Sequence, residues 1–260
     1  MIKILTGWSN AGGSTEMFIR LTNELNKKGH DTTLYGPHDW HLDKCKSGKL
    51  DNTLKINKDD QIISHFLQLG NRPDAKRVIL SCHEKDLFKV GEVKQYWDEV
   101  VFLNEVHREY HNQYKNDFTI IPNLKGDLVQ GDKTGLEKIA GIIGSFDLNK
   151  QTHISIKRAI DDGCEKVYLF GEPNTPYFNQ YVEPFCDKDI IVKGFVSDKQ
   201  AMYDSIGVAY LSSISEVAPL VKDECEQTGT IFKGNNNTNY AVNNFTNDEI
   251  IDKWLKVLEV

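Results

Sequence analysis

The chain alternates short apolar runs with longer stretches in which apolar residues recur at the spacing of one helix face. In its first half, the runs of strand length are residues 2–6, 32–35, 78–82, 100–103 and 119–121. The clearest helix follows residue 14 and ends at Gly29. Its apolar face consists of Met17, Phe18, Leu21 and Leu25. Residues 60–69 predict a further short amphipathic helix, and residues 104–114 a polar one.

A second series of the same kind begins at residue 138. Its strand-length runs are residues 139–143, 166–170, 190–192, 206–213 and 231–232. Ser197 is expected to cap one of the intervening helices and Asn247 to cap the last helix of the chain. The polar stretch 125–134, rich in glycine and aspartate, has the composition of a linker between two domains.

Strands that alternate with helices are typical of parallel α/β sheets. We therefore predict an α/β fold of two Rossmann-like, doubly wound parallel-sheet domains. The first, over residues 1–125, is compact, and the second covers residues 136–245. A separate C-terminal helix is predicted over residues 246–260.

Composition and charge narrow the class of protein. Of 260 residues, 39% are hydrophobic and 27% charged, and the net charge of −7 argues against a duplex-binding surface. Five cysteines without a CxxC pair predict reduced thiols rather than a disulfide framework or a zinc site, and the spacing of His38, His41 and Cys45 matches no standard metal site. The first strand directly follows Met1, and no apolar run approaches about 18 residues. We therefore expect a cytoplasmic protein without a signal peptide or membrane span.

Residues 215–224 contain the most informative candidate functional residues of the chain. An apolar run ends just before Glu216, and Pro219 can open a helix because it has no N–H to leave unbonded. Glu216 would then lie at the carboxyl end of a strand, where open α/β sheets bind ligands and free N–H groups suit phosphates. Glu224 follows about two turns later, on the same face if the helical path extends back to Glu216. The alternative is a solvated helix start with an ordinary surface glutamate.

A glycine loop follows the first predicted strand. Gly12 and Gly13 permit a tight turn and a close approach of the backbone to a ligand. The loop lacks the spaced GxGxxG pattern of dinucleotide sites, so a nicotinamide cofactor is only weakly supported. A tight turn without a binding role is the alternative.

In their order along the chain, these pieces resemble glycosyltransferases of the two-domain GT-B fold, and glycosyltransferase family 4 in particular. The similar segments are KGHDTTL at 28–34, IIPN at 120–123, GSFDLNK at 144–150, YLFG at 168–171, VKGFV at 192–196 and SEVAPLVKDE at 215–224. The last resembles the family's Glu-x7-Glu motif, and the first its RGHEVTV segment. Together they extend over nearly the whole chain.

The resemblance implies a nucleotide-sugar site in a cleft that the two domains face. Glu216 would orient the donor sugar as a catalytic residue, and His83 is the second catalytic candidate, although a plain loop histidine is the alternative reading. Lys150 would meet the diphosphate and Glu224 the ribose hydroxyls. The other implied donor-binding residues are Gly12, Gly13, Ser145, Gly171, Phe195, Val196, Val217, Ala218, Pro219 and Leu220. The C-terminal helix would pack back on the first domain, or else on the second.

The implied reaction transfers a sugar from a UDP- or GDP-sugar to an unknown glycan, lipid-linked or other acceptor. Negative charge grows on the leaving phosphate, and Lys150 with backbone dipoles would stabilise it, so we expect neither a cofactor nor a required metal. The resemblance implies retention at the anomeric carbon. No nucleic-acid partner is expected. No strong basic amphipathic helix is apparent, and peripheral membrane attachment stays open.

Three positions depart from the family pattern, one of which is Leu124, where a glycine usually follows the asparagine. Ser145 stands where an arginine is usual, and Val217 where a glycine follows the first glutamate. Both favour one alternative, a degenerate nucleotide-sugar-binding protein without turnover. A nucleotide-sugar epimerase on the same fold would need additional acid and base groups. Glycosylation of modified DNA bases would need a basic groove, against which the acidic balance argues.

Overall fold

The computed structural model describes residues 1–10, 12–67, 71–85, 96–112, 117–237 and 243–260. The chain divides into two compact units. Unit 1 comprises Met1–Leu124 together with Asn243–Val260, and unit 2 comprises Lys125–Val242. No helix among these described ranges is long and apolar enough to cross a membrane.

Unit 1 is built on a parallel sheet of seven strands in the order β3-β2-β1-β4-β5-β6-β7. The strands are β1 (Ile2–Thr6), β2 (Thr32–Gly36), β3 (Ser47–Lys49), β4 (Gln61–His65), β5 (Arg77–Ser81), β6 (Glu99–Phe102) and β7 (Phe118–Ile120). The helices among its described residues are α1 (Gly13–Lys27), α2 (Glu105–Tyr110) and α6 (Asn247–Leu258). Chain order places β2 and β3 on one side of β1 and the later strands on the other, which is the doubly wound pattern.

The main core of unit 1 lies between this sheet and two helices from opposite ends of the sequence. Phe18 and Leu21 of α1 share it with Trp254 of α6 and with Ile4 and Ile63 of the sheet. Burying a side chain of this size contributes about 1.5–3 kcal/mol. The helix after residue 245 is therefore an integral part of unit 1.

The helix expected over residues 60–69 is wrong: Gln61–His65 forms strand β4, buried along its whole length. Its polar residues suggested a solvated helix face, but each one has a partner inside the unit. Ser64 Oγ donates to Ile79 O at 3.1 Å, and His65 Nδ1 lies 2.9 Å from Thr6 Oγ1. Polar groups that have hydrogen-bond partners can be buried, so these residues are compatible with a strand in the middle of the sheet. Residues 68 and 69 lie outside the described ranges.

Unit 2 is built on a five-stranded parallel sheet in the order β10-β9-β8-β11-β12. The strands are β8 (Ile139–Ile143), β9 (Lys166–Phe170), β10 (Ile190–Gly194), β11 (Val208–Tyr210) and β12 (Ile231–Lys233). Its helices are α3 (Thr152–Asp161), α4 (Lys199–Asp204) and α5 (Leu220–Thr228). Residues 178–185 form a π-helical turn followed by a 3-10 turn. Two doubly wound parallel sheets confirm the predicted fold class.

Two helix starts differ from the sequence prediction. Thr246, not Asn247, caps α6, where its hydroxyl accepts from Glu249 N–H and the Glu249 carboxylate accepts from Thr246 N–H. Asp198, not Ser197, caps α4. Helix α5 begins at Leu220, so Glu216 lies in the preceding loop and the helical path does not reach it.

The stretch with linker-like composition is held against unit 2. Gly131 N–H donates to Thr228 O at 3.2 Å, and Lys133 Nζ donates to Tyr203 O at 2.7 Å. Contacts of this kind fix the backbone, so residues 125–134 are an ordered part of unit 2 rather than a free tether.

Candidate functional site

The sheet of unit 2 reverses its strand order between β8 and β11, and the loops that follow these two strands meet there. Ile214 N–H donates to Asn149 O at 2.8 Å, and Ser215 N–H donates to Asn149 Oδ1 at 3.0 Å. Asn149 Nδ2 in turn donates to Ser215 O at 3.1 Å. Such a switch point at the carboxyl ends of parallel strands is where open α/β sheets bind ligands.

An ion pair lies at this junction. Lys150, from the loop after β8, contacts Glu216 Oε1, from the loop after β11, through its Nζ atom. Only 12% of the Glu216 side chain and 27% of the Lys150 side chain are exposed. The two charges therefore neutralise each other in a partly desolvated position, where an incoming anion would compete with Glu216 for the ammonium group.

Glu224 is buried on α5 and is held by two residues of α4. Its Oε1 accepts from Lys199 Nζ at 2.6 Å, and its Oε2 accepts from Tyr203 OH at 2.8 Å. Lys199 and Tyr203 are four residues apart and so lie on one face of their helix. Tyr203 is fully buried, whereas the Lys199 side chain is one-third exposed, so the ammonium group is the partner that can move away.

The neighbouring carboxylate has a different environment. Burial raises the pKa of Asp223 from 3.8 to about 6, although the positive charge of Lys125 lowers this pKa. The nearby carboxylates of Glu226 and Glu224 act in the same direction as burial. Asp223 therefore changes charge close to neutrality.

The remaining predicted residues of unit 2 lie in the same two loops or directly after β9 and β10. Ser145 is exposed, and its hydroxyl donates to Asp147 Oδ2 at 2.5 Å. Gly171 follows β9 directly and lies against the backbone of Gly144. Val217, Ala218, Pro219 and Leu220 lead into α5. Phe195 and Val196 follow β10, and 55% of the Phe195 side chain is exposed.

Three predicted residues belong to unit 1. Gly12 immediately precedes α1, and Gly13 is its first residue. His83 follows β5 and is half-buried, with its Nε2 atom 3.1 Å from Ser81 Oγ. Burial, together with the nearby His65 and His107, holds the pKa of His83 well below its ordinary value of 6.5. The ring is therefore neutral at neutral pH and can exchange hydrogen bonds without carrying charge.

Sequence reasoning missed two groups of polar residues. Lys199 and Tyr203 hold Glu224, and Cys82, His107 and His111 form a buried cluster in unit 1. A four-residue spacing on a helix is the signal shared by Lys199–Tyr203 and by His107–His111. That spacing could have shown that the two members of each pair share a helix face, but the sequence alone does not indicate which residues this face contacts.

Solved structures of similar architecture extend over almost the whole chain. HepE of Anabaena in complex with UDP-glucose has a TM-score of 0.69 and 10% identity, covering 99% of this chain and 90% of its own. WaaG, a glycosyltransferase involved in lipopolysaccharide biosynthesis, has a TM-score of 0.66 and 10% identity, covering 100% and 91%. The sucrose-phosphate synthase of Thermosynechococcus elongatus has a TM-score of 0.68 and 12% identity, covering 91% and 82%.

This chain has the GT-B fold. At these identities the likeness concerns the fold, here two parallel sheets with helices between their strands. No protein-family model matches the sequence, and no curated protein matches it. Within the GT-B fold, the Lys150–Glu216 pair and Glu224 stand at the carboxyl ends of the strands of the second unit.

Proposed function

We propose that this protein is a glycosyltransferase that moves a sugar from a nucleoside-diphosphate sugar to an acceptor of unknown identity. The observation that carries the proposal is the Lys150–Glu216 pair at the switch point of the second sheet of a GT-B fold. A UDP- or GDP-sugar is the proposed donor, and the solved complexes of HepE with UDP-glucose and with UDP and glucose support a nucleotide sugar.

The ion pair supplies both groups that the transfer needs. The diphosphate of the donor draws Lys150 away from Glu216, and the ammonium group then offsets the negative charge that grows on the leaving phosphate. Glu216 then accepts hydrogen bonds from the sugar hydroxyls. The N–H groups of Val217 to Leu220 add backbone dipoles. In this scheme the transfer proceeds with retention and needs no divalent ion at the phosphates.

The nucleoside is proposed to bind beside α4 and α5. Glu224 would accept hydrogen bonds from the ribose hydroxyls once Lys199 has moved aside, while Tyr203 keeps the carboxylate in place. Phe195 and Val196 would flank the base. From unit 1, the neutral His83 would meet the reacting sugar, and Gly12 and Gly13 would approach the donor phosphate.

One observation favours a second candidate, a nucleotide-sugar-binding protein without turnover. Ser145 occupies the position where a second cation would be expected, and its hydroxyl is engaged by Asp147. With Lys150 as the single cation of this loop, the leaving phosphate would be stabilised less. The two candidates agree on binding and differ in turnover.

The experiment is a thermal-shift and calorimetric panel of UDP-, GDP-, ADP- and CMP-sugars on the wild type, Lys150→Met and Glu224→Gln. Lys166→Met, exposed at the opposite end of β9, is the matched control. One nucleotide class should raise the melting temperature by mass action. Both site variants should weaken that binding about ten- to one-hundredfold, the loss expected for a charge-assisted hydrogen bond.

Turnover is read in the same samples by nucleoside-diphosphate release without an acceptor. Slow release supports a transferase, and binding without release supports the second candidate. Interconversion of free nucleotide sugars would indicate an epimerase. If no donor binds to the wild type, the assignment of this site is wrong.

A further inference from the structure

We propose that Cys82, His107 and His111 bind a zinc ion within unit 1. Cys82 follows β5, His107 lies on α2 and His111 ends that helix. All three are at most 1% exposed. Their donor atoms lie within 4.8 Å of one another. The site uses none of the residues assigned to the donor and does not depend on the proposed function.

The sequence spacing suits metal binding. His107 and His111 are separated by three residues, a spacing common among zinc-binding histidines because it places both imidazoles on one helix face. Phe102 packs beside both rings, with centroid distances of 5.3 Å to each. Helix spacing and aromatic packing therefore direct both rings towards Cys82.

The distances match a tetrahedral site. Cys82 Sγ lies 3.6 Å from His107 Nε2 and 3.8 Å from His111 Nε2. Zinc–sulfur bonds of about 2.3 Å and zinc–nitrogen bonds of about 2.0–2.1 Å require edges of roughly 3.5 Å between sulfur and nitrogen in a tetrahedron. Small side-chain adjustments bring both contacts to this length.

A main-chain carbonyl provides the fourth ligand. Glu84 O lies 3.1 Å from His107 Nε2, 2.9 Å from His111 Nε2 and 3.5 Å from Cys82 Sγ. With protons in place of the ion, the imidazole N–H groups and the thiol would donate to this oxygen. With zinc bound, the same four atoms surround the metal and leave no open position. Closed four-coordinate sites are structural rather than catalytic.

Zinc binding changes the protonation of one ligand. Zinc with one thiolate carries a single positive charge, and Glu84, which supplies the carbonyl, also has a carboxylate. A bound cation deprotonates a coordinating thiol. Binding therefore transfers the Cys82 proton to solvent, one proton per ion, and no electron transfer is involved.

The two forms of the cluster differ in the tautomer of His107. Leu103 N–H donates to His107 Nδ1 at 3.2 Å, which places the ring proton of the metal-free form on Nε2. Zinc bound at Nε2 requires that proton on Nδ1 and displaces this long hydrogen bond. A metal–imidazole bond in a closed site far outweighs one such contact. The position of the His107 ring proton therefore shows whether the ion is bound.

The ion would fix the segment that carries His83. The Glu84 carboxylate lies 3.2 Å from His65 Nε2 and accepts from His83 N–H at 3.2 Å. A metal bound to the Glu84 carbonyl therefore ties α2 to the end of β5 and holds both histidine contacts in register.

Elemental analysis of protein purified without a histidine tag tests the proposal. We expect about one zinc per chain in the wild type, and less than a tenth of that in Cys82→Ser and His111→Gln. Cys186→Ser and His30→Gln, which change the same residue types elsewhere, should keep the full amount. Chelation should lower the melting temperature of the wild type.

Two spectroscopic measurements keep the test independent of how the variants fold. Cobalt substitution of the wild type should give a thiolate-to-cobalt charge-transfer band. Nitrogen NMR should show the His107 proton on Nδ1 in the zinc form. Wild-type protein that takes up neither zinc nor cobalt and keeps the proton on Nε2 would overturn the proposal, leaving the cluster as a hydrogen-bonded anchor of Glu84. Equal zinc in Cys82→Ser would overturn it as well.

Discussion

Adjacent carboxylates on α5 show how strongly the immediate surroundings set the state of a single side chain. Glu224 is buried, but Lys199 and Tyr203 bond both of its oxygens. Asp223 is also largely withdrawn from water, and the balance of its surroundings raises its pKa to about 6. Burial of a charge is tolerated where partners compensate it and disfavoured where they do not.

The raised pKa of Asp223 predicts a pH dependence of the stability of unit 2. Its folded-state pKa of about 6 lies above the ordinary 3.8, so folding favours the protonated form. The folded unit is therefore favoured below pH 4 and loses stability as the pH rises through 6. The limiting loss is about 3 kcal/mol, reduced by residual solvent screening.

Asp223→Asn removes this titration. When the pH rises from 4.5 to 7.5, the unfolding free energy of the variant should increase by about 1–3 kcal/mol relative to that of the wild type. Urea unfolding at both pH values measures it. Asp161→Asn, exposed at the end of α3, should show no such growth. A constant difference for Asp223→Asn would show that the surroundings of Asp223 do not disfavour its charge.

At the scale of elements, the ends of β8 and β9 approach each other so closely that a side chain does not fit between them. A Cβ atom added to Gly171 would overlap the carbonyl oxygen of Gly144 and would lie 3.1 Å from the Phe146 ring. Gly12 differs, because among the described residues a Cβ atom there would have Asn10 O as its nearest neighbour, at 4.0 Å. Its φ of 170° is open to any residue.

These two glycines are expected to respond differently to substitution by alanine. Gly171→Ala should destabilise unit 2 by about 1–3 kcal/mol, since the obstructing atom belongs to the backbone. Gly12→Ala should change stability by less than about 0.5 kcal/mol. If the backbone at Gly12 approaches the donor phosphate, Gly12→Ala should nevertheless weaken donor binding. Chemical denaturation and calorimetry separate the two effects, and a stable Gly171→Ala variant would contradict the steric argument.

Apolar periodicity was sufficient to predict most elements, because strands buried on both faces of a parallel sheet are continuous apolar runs. It failed at β4, whose polar residues are satisfied by partners distant in sequence. Gln61 donates to the carbonyl of Leu258, and Ser64 accepts from Trp97 Nε1 at 2.6 Å. A local pattern contains no information about such partners.

The residues of the candidate site likewise fall into those that a local sequence pattern predicted and those that it did not. Lys150, Glu216 and Glu224 were predicted from motifs that are continuous in sequence, and the structure brings the first two into contact. Lys199 and the Cys82 cluster were not predicted. Their roles arise from folding, which places residues 25 positions apart, such as Lys199 and Glu224 or Cys82 and His107, within bonding distance.

For the molecule as a whole, the course of the chain matters more than any single element. The chain leaves unit 1 after Leu124, forms all of unit 2, and returns to unit 1 at Asn243. Trp254, 2% exposed, then completes the core beside α1. Unit 1 is thus discontinuous in sequence, whereas unit 2 is one uninterrupted segment.

Trp254→Ala should therefore act on unit 1 alone. Loss of a fully buried tryptophan is expected to destabilise that unit by about 3–5 kcal/mol, while the unfolding of unit 2 stays unchanged. Hydrogen exchange resolved along the chain, with denaturant, follows the two units separately. Val129→Ala, at a side chain 64% exposed in unit 2, is the control and should alter neither. Equal destabilisation of both units would contradict the division.

The return of the chain to its starting unit has a consequence for biosynthesis. During translation the strands and α1 of unit 1 emerge from the ribosome long before Trp254 and the rest of α6 have been polymerised. The nascent unit 1 therefore leaves part of the apolar face of α1 open to chaperones until α6 has been made. The amino-terminal half of the chain, although made first, completes its core only with the last helix.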